Sequence, residues 1–209
     1  MDRKGHWENA YTISEPIKLS WFQSDPALSM ELIRSIAPRP CRIIDVGGGA
    51  SLLVDRLLDD GFEEVSVLDI SRASLERAEG RLGERAGSVR WVEADLTTVA
   101  SVGEFDLWHD RAVFHFLTDS TDRRRYLDLA ARSIPEHGYI MIATFADEGP
   151  RKCSGLEVCR YNARTLADEL GDRFSLVREA SEIHVTPGGS GQAFFYGLFR
   201  RRGASLFSP

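Results

Sequence analysis

The 209-residue sequence contains only three cysteines, and no two of them form a C-x-x-C pair. An odd number without that spacing argues against a disulfide framework and against a zinc site, so no metal is expected. No stretch approaches the roughly 20 apolar residues of a membrane span, and the longest apolar run, Tyr139–Ala143, has the length of a strand. The first residues, MDRKGHWENA, lack the apolar core of a signal peptide. We therefore expect a cytoplasmic protein with no membrane partner.

Clustered positive charge is also scarce, because the formal net charge is −6. Phosphate backbones are bound by clusters of lysine and arginine, so we expect no nucleic-acid partner. The short basic runs Arg123–Arg125 and Arg200–Arg202 are interpreted as a solvated helix face and a terminal charge cluster. The length favours one domain, with an N-terminal helical and aromatic lid over residues 1–37 and the main body over residues 38–209.

The most informative stretch is a strand that runs into a glycine turn. Arg42–Val46 has the β-branched, apolar composition of a buried strand, and Gly47, Gly48 and Gly49 follow it directly. Leucines then recur at helical spacing until about Gly61. A strand, a glycine turn and a helix are how a doubly wound sheet brings backbone N–H groups close to a nucleoside.

The next strand ends in an acid that suits a ribose. Asp69 lies 22 residues beyond Gly47, a distance at which an acidic side chain accepts hydrogen bonds from ribose hydroxyl groups. A nicotinamide-dependent oxidoreductase is one class with this arrangement. Its G-x-G-x-x-G pattern requires a third glycine at position 52, where this chain has Leu52, so that class is disfavoured.

Asp45, two residues before Gly47, gives the chain its family resemblance. An acid at this place resembles the pattern of class I S-adenosylmethionine-dependent methyltransferases, although Ser51 stands where that family usually has a further glycine. The resemblance covers about residues 40–200 and implies S-adenosylmethionine as the cofactor. It also implies that Asp45 and the three glycines take part in binding it.

Four further positions are assigned to the cofactor. The resemblance implies that Ile70 lies on the adenine and that Asp95 accepts a hydrogen bond from the adenine amino group. The N–H of Leu96 is then placed to meet a ring nitrogen. His109, at the end of the fourth strand, is expected to present only its backbone carbonyl.

The same resemblance implies an α/β fold with a Rossmann-like, doubly wound sheet of seven strands. The sheet is expected to be mostly parallel and to finish in a C-terminal antiparallel hairpin. Beyond the first two strands, the sequence predicts strands at Val89–Glu93, Glu104–Trp108, Tyr139–Ala143, Phe174–Val185 and Ala193–Arg200. Residues 144–160 are predicted to form one long connection, a length that usually indicates a functional or disordered loop.

The N-terminal segment is rich in aromatic residues. Trp7, Tyr11, Trp21 and Phe22 lie within sixteen residues. They either seal an edge of the sheet or form a lid that excludes water from a substrate pocket. Both roles are compatible if Trp7 and Tyr11 pack while Trp21 and Phe22 face the substrate. A helix is predicted to begin near Asp25.

A narrower resemblance concerns the end of the fourth strand. WHDRA at 108–112, with the aromatic segments WENAY and SWFQ, resembles thiopurine methyltransferase and its thiol-methylating bacterial relatives. It implies that Arg111 stabilises an anionic acceptor and that Asp110 holds the acceptor or closes the loop. The alternative is that Asp110 and Arg111 form a local ion pair that caps the next helix. His115 either takes a proton from the acceptor or is a packed histidine.

The leading hypothesis is an S-adenosylmethionine-dependent methyltransferase that acts on a small molecule, with a thiol or other soft nucleophile favoured. A protein (lysine) methyltransferase with the same donor site is the main alternative. A non-catalytic binder of the donor is a further one, because a donor site alone does not establish turnover. A monomer or a homodimer is expected.

Overall fold

The computed structural model describes residues 2–37 and 39–203. The helices are α1 (Arg3–Ile13), α2 (Ala27–Ile36), α3 (Leu53–Asp59), α4 (Arg72–Leu82), α5 (Ser120–Ser133) and α6 (Ala163–Leu170). The strands are β1 (Arg42–Val46), β2 (Glu64–Asp69), β3 (Val89–Glu93), β4 (Leu107–Arg111), β5 (Tyr139–Phe145), β6 (Lys152–Cys153), β7 (Leu156–Glu157), β8 (Phe174–Val185) and β9 (Gly191–Arg201).

Seven of the strands form one sheet in the order β3-β2-β1-β4-β5-β9-β8. Strands β1 to β5 pair in parallel, whereas β9 is antiparallel to both β5 and β8. The predicted fold, a doubly wound seven-stranded sheet with a C-terminal antiparallel hairpin, is confirmed. The strand order reverses between β1 and β4, and ligands of such sheets bind beyond the carboxyl ends of the strands at this point.

Helices cover the sheet on both faces. Neighbouring residues of a strand point to opposite faces, so Ile43 packs with Met30 of α2 and Leu57 of α3, while Ile44 packs with Tyr126 of α5. Both faces of the central strands are therefore buried, which accounts for their near-continuous apolar sequences.

The predicted bounds of the fourth strand were wrong. Its predicted range was Glu104–Trp108, but β4 begins at Leu107 and ends at Arg111. Before β4, the N–H of Phe105 donates to the carbonyl of Ser133, at the end of α5, rather than to a neighbouring strand. The correction places His109 and Arg111 within the strand, where their positions are fixed by the sheet.

Two elements were not predicted. Helix α1 was missed because its apolar residues are few, and it begins at an Asp2 side chain that accepts from the N–H of Gly5. The predicted connection over residues 144–160 contains the hairpin of β6 and β7, which turns at Ser154 and Gly155 with positive φ angles of 50° and 76°. Helix α2 begins at Ala27, as predicted from the preceding residues.

Within the described ranges, none of the helices is both long and apolar enough to cross a membrane. The division into a lid and a main body stays a prediction.

Candidate functional site

Two adjoining cavities lie at the carboxyl ends of the central strands. The first has a volume of about 830 Å³ and the second about 550 Å³, in both cases with the open mouth included. Tyr11, Trp21, Gly47 and Arg111 line both cavities. The two spaces therefore form one site with two ends.

The glycine turn lies directly over two carboxylates. A Cβ added to Gly48 would lie 2.5 Å from Oδ2 of Asp45, and a Cβ added to Gly49 would lie 2.5 Å from Oδ2 of Asp69. Gly47 has a φ of +66°, which favours glycine, and its N–H donates to the carbonyl of Leu68. Only residues without a side chain let the backbone approach both acids this closely.

Asp69 ends β2 and faces the first cavity. Its Oδ1 accepts the N–H of Ser71 at 2.9 Å, and the side chain is almost fully buried. Burial raises the pKa of Asp69 to about 7, against the hydrogen bonds from Ser71 and Ser74, which lower it. A buried carboxylate with spare acceptor capacity is suited to the hydroxyl groups of a ribose.

The other predicted adenine-binding residues line the same cavity. Ile70, Asp95 and Leu96 all contribute to its wall. Asp95 lies two residues past the end of β3, and its Oδ1 accepts both the N–H and the hydroxyl of Thr97, at 2.8 and 2.7 Å. These contacts fix the carboxylate at the cavity wall. The structure thus brings the predicted donor residues together, while their roles stay predictions.

The carboxylate of Asp110 caps the turn that follows β4. It is fully buried and accepts the N–H groups of Val113 and Phe114, at 2.9 and 3.1 Å, and the hydroxyl of Tyr126 at 2.6 Å. Burial raises its pKa to about 6. Among the described residues, Asp110 is not part of either cavity wall and forms no ion pair with Arg111. This geometry favours a structural role, and the predicted catalytic role is left to mutagenesis.

The guanidinium of Arg111 is fixed at the junction of the cavities. Its Nε donates to the hydroxyl of Tyr196 and its Nη1 to the carbonyl of Trp21, both at 3.0 Å. The group lies 4.3 Å from the ring centroid of Phe194. Nη2 is buried and has no hydrogen-bond partner among the described residues. One N–H group of a rigid cation thus remains for an anionic ligand.

His115 lies away from the cavities. The ring is fully buried between Phe116 and Phe145, at centroid distances of 4.4 and 4.8 Å. Burial, with a contribution from Arg111, lowers the pKa of His115 to about 3. The geometry is that of the packed histidine considered above. Its neighbour Phe116 does line the first cavity.

The N-terminal aromatic residues form the roof. Trp7, Tyr11 and Trp21 all line the first cavity, whereas Phe22 reaches only the second. Trp21 donates its Nε1–H to the hydroxyl of Tyr11 at 3.1 Å, and Trp7 packs edge-on against Trp21 and Phe116. The sequence left open whether these residues seal the sheet edge or form a lid, and α1 places the side chains of Trp7 and Tyr11 in the wall of the first cavity.

The small hairpin, an element that the sequence did not predict, supplies a further wall. Cys153 of β6 lines the first cavity, and Ser154 is joined to His6 of α1 by a 3.2 Å hydrogen bond. Burial raises the pKa of the Cys153 thiol to about 11, so it stays protonated near neutral pH. No local pattern marks this residue, because the hairpin reaches the cavity only in the folded chain.

The second cavity is the more polar end. Asp45, His109 and Ser29 meet in its wall together with Gly47, Gly48 and Arg111. Oδ2 of Asp45 is buried without a partner among the described residues. An orphaned acid and a glycine cradle suit the amino-acid end of S-adenosylmethionine, and Asp69 and Asp95 suit its nucleoside. The residues present therefore fit this cofactor. No cluster of possible metal ligands occurs in the described part of the chain.

Comparisons with known proteins agree with this assignment. Residues 43–138, slightly less than half of the chain, match the family model described as a methyltransferase domain. No curated protein matches the chain. Solved structures do: the N-methyltransferase NodS of Bradyrhizobium japonicum, determined with S-adenosylhomocysteine, is 16% identical with a TM-score of 0.71 over 97% of this chain and 100% of that one.

Two other structures are similar. The 1,6-didemethyltoxoflavin-N1-methyltransferase of Burkholderia thailandensis is 18% identical, with a TM-score of 0.68 over 96% of this chain and 84% of that one. A protein studied in the conversion of a disulfide bond into a thioacetal group during echinomycin biosynthesis is 17% identical, with a TM-score of 0.78 over 96% and 93%. At such identities these likenesses concern the fold.

The domain match and the fold confirm the resemblance to class I S-adenosylmethionine-dependent methyltransferases. The cofactor of this class is S-adenosylmethionine, in agreement with the fit of the residues. The narrower resemblance to thiopurine methyltransferase stays a prediction.

Proposed function

We propose that the protein transfers a methyl group from S-adenosylmethionine to a small molecule that binds beside the donor nucleoside, in the part of the first cavity under the aromatic residues. The observation that carries this proposal is the roof over the first cavity. Trp7, Tyr11 and Trp21 close the space above the strand ends, and Phe116 and Cys153 form its sides. A roofed, mostly apolar space suits a small acceptor better than a side chain of a folded protein.

The acceptor is proposed to react as an anion, with a thiolate favoured. Arg111 offers its partner-free Nη2 at the junction of the two cavities, where a negative charge would be stabilised. Its fixed contacts with Tyr196 and Trp21 mean that little ordering is needed when an anion binds.

Apart from the carboxylates and the imidazole assigned to the donor, the described lining residues offer no evident general base for an acceptor that must lose a proton of high pKa. Burial raises the pKa of the Tyr11 hydroxyl well above its usual value, and the Cys153 thiol is raised to about 11. His115 lies outside the cavity with a lowered pKa of about 3. An acceptor that ionises by itself near neutrality, such as a thiol with a pKa of about 8.5, fits this environment.

The chain's own contribution is then positioning and the exclusion of water. S-adenosylmethionine, when bound, supplies an electrophilic methyl group. The glycine turn, Asp69 and Asp95 hold the donor; Arg111 orients the anionic acceptor; and the aromatic roof keeps water away from both. Orientation of this kind supplies much of the acceleration of a displacement reaction.

The test is a panel of small acceptors incubated with the protein and S-adenosylmethionine labelled in its methyl group. The panel pairs aromatic and aliphatic thiols with phenols, amines and carboxylates of matched shape, and includes an unfolded lysine-rich peptide. We expect label in thiols first. Label in amines alone would remove the thiol preference, and label in the peptide alone would favour the protein methyltransferase. No transfer to any acceptor, with tight donor binding, would favour a non-catalytic binder.

A further inference from the structure

Three buried polar side chains form a continuous chain at the second cavity. Oγ of Ser29 lies 3.0 Å from Nε2 of His109, and Nδ1 of His109 lies 2.7 Å from Oδ1 of Asp45. Their exposed fractions are 1%, 3% and 2%. They come from three separate elements, α2, β4 and β1, and the sequence prediction for His109 concerned only its backbone carbonyl.

The sheet register accounts for the contact between the acid and the imidazole. Asp45 and His109 are directly paired residues of the parallel strands β1 and β4, so their side chains leave the same face of the sheet side by side. Ser29 lies on the buried stripe of α2, which packs on that face. The imidazole of His109 therefore connects α2, in the N-terminal segment, with Asp45, the acid that precedes the glycine turn.

The hydrogen-bond directions follow from the partners. A carboxylate can only accept, so Nδ1–H of His109 donates to Asp45. In the neutral ring Nε2 is then an acceptor, and the hydroxyl of Ser29 donates to it. Both ring nitrogens of His109 are then satisfied, and the carboxyl group of Asp45 is held in one orientation.

That orientation leaves Oδ2 of Asp45 for a ligand. This oxygen lies beneath Gly48 in the wall of the second cavity, buried and without a partner in the described residues. A buried carboxylate oxygen without a donor is unfavourable. A carboxylate oxygen in this wall is complementary to a cationic group of a ligand, such as the ammonium group of an amino acid.

We propose that His109 is a positioning residue: through the chain from Ser29 it holds Asp45 so that Oδ2 receives the ammonium group at the amino-acid end of the donor. This inference rests on the proposed function, because it concerns the same donor. It couples the packing of α2 to the affinity for that end of the ligand, while the nucleoside end is held independently by Asp69 and Asp95.

The test compares two ligands by calorimetry on the purified full chain. S-adenosylhomocysteine carries the amino-acid end, whereas 5′-methylthioadenosine has the same nucleoside without it. His109→Gln places an amide near the Nε2 position and loses the contact with Asp45. His109→Asn places an amide near the Nδ1 position and keeps that contact. The two variants therefore remove opposite ends of the chain and serve as matched controls for each other.

We expect His109→Gln to bind S-adenosylhomocysteine about tenfold more weakly, as expected for a misplaced charged hydrogen bond, with the affinity for 5′-methylthioadenosine changed less than twofold. His109→Asn is expected to keep most of the affinity for both ligands. Asp45→Asn should resemble His109→Gln. Thermal unfolding of each variant reports any loss of stability separately from the ratio of the two affinities.

A merely structural role for His109 would lower the unfolding temperature and leave the ratio of the two affinities unchanged in every variant, and this result would overturn the inference. Equal weakening of both ligands by His109→Gln would overturn it as well. Failure of the wild-type chain to bind either ligand would instead contradict the proposed function. The two failures are thus distinguishable.

Discussion

The donor end and the acceptor end of the site are built differently. The donor end is formed where β1, β2 and β3 finish, by residues close to a strand end: Asp45, the glycine turn, Asp69 and Asp95. The acceptor end is formed by side chains from distant parts of the chain, Trp7, Trp21, Arg111, Phe116 and Cys153. The sheet and the turns at its strand ends place the first end, and α2 adds the contact of Ser29 with His109. The second end exists only when α1, Trp21 and the hairpin are in place.

The difference suggests a division of labour. A site that every member of a class needs for the same donor is held by backbone geometry and short-range contacts, which vary little with sequence. A site that must select one acceptor is held by side chains on added segments, where a single substitution alters shape or charge. Substitutions at the donor end should therefore change the affinity for the donor, and substitutions at the acceptor end should change kcat/KM for the acceptor.

Asp110 caps the turn that follows β4, outside both cavity walls, and its removal is expected to have the largest effect. Asp110→Ala leaves the hydroxyl of Tyr126 and two backbone N–H groups without their acceptor, which should lower the free energy of unfolding by about 3 kcal/mol. Denaturant unfolding measures this loss, and Tyr126→Phe, which removes one of the three contacts, should cost about 1 kcal/mol. A fully stable Asp110→Ala protein with greatly reduced turnover would instead support the catalytic role.

Asp69→Ala should weaken the donor end alone. The loss of hydrogen bonds to a buried carboxylate should reduce the affinity for S-adenosylhomocysteine by roughly 1–3 kcal/mol, a factor of about 5 to 150. Calorimetry measures it, with Asp59→Ala as the control because Asp59 is exposed and paired only with Arg85. Unchanged affinity in Asp69→Ala would refute the ribose role.

Arg111→Ala should act mainly on the acceptor end. We expect kcat/KM for a methylated acceptor to fall by about 10- to 100-fold, as for a lost charged hydrogen bond, and the donor affinity to fall less. Arg164→Ala, an exposed position of α6, is the control. Equal losses in turnover and donor affinity would assign Arg111 to the donor instead, or to the stability of the fold.

The pH dependence of donor binding is the smallest of the expected effects. Burial raises the pKa of Asp69 to about 7 in the free protein, and ribose hydroxyl groups donate best to the ionised form. Affinity for S-adenosylhomocysteine should therefore rise about tenfold between about pH 6 and 8, and Asp69→Asn should flatten the profile.

The stability of the free protein should change with pH in the direction opposite to that of the donor affinity. The folded protein keeps the Asp69 proton up to about pH 7, whereas the unfolded chain releases it near about pH 4. The free protein should therefore lose stability as the pH rises between these values. For the binding prediction, an affinity for S-adenosylhomocysteine that falls with rising pH would contradict the assignment of Asp69 to the ribose.

The donor end could be predicted from the sequence because each of its residues lies next to a strand in the chain. Recognising β1 and β2 in the sequence was enough to predict Asp45 and Asp69, because parallel pairing of the two strands then places these residues together. The acceptor end could be predicted only in part. Trp21 and Arg111 were identified as candidates, but the placement of Trp7 depends on α1, and that of Cys153 on a hairpin with two residues in each strand.

The chain from Ser29 to Asp45 illustrates why the rest was not predictable. It requires the register that pairs Asp45 with His109, and the correct start of β4 at Leu107, three residues later than the sequence indicated. It also requires α2 to pack on that face of the sheet. Each is a tertiary relation between segments, which local composition does not contain.

The most direct test of the account is calorimetric titration of the purified protein with S-adenosylhomocysteine, with NADPH titrated in parallel. The account predicts one site per chain with micromolar affinity for S-adenosylhomocysteine and no measurable binding of NADPH. Binding of NADPH without binding of S-adenosylhomocysteine would mean that the glycine turn serves a dinucleotide, and would contradict the donor site on which the proposed function rests.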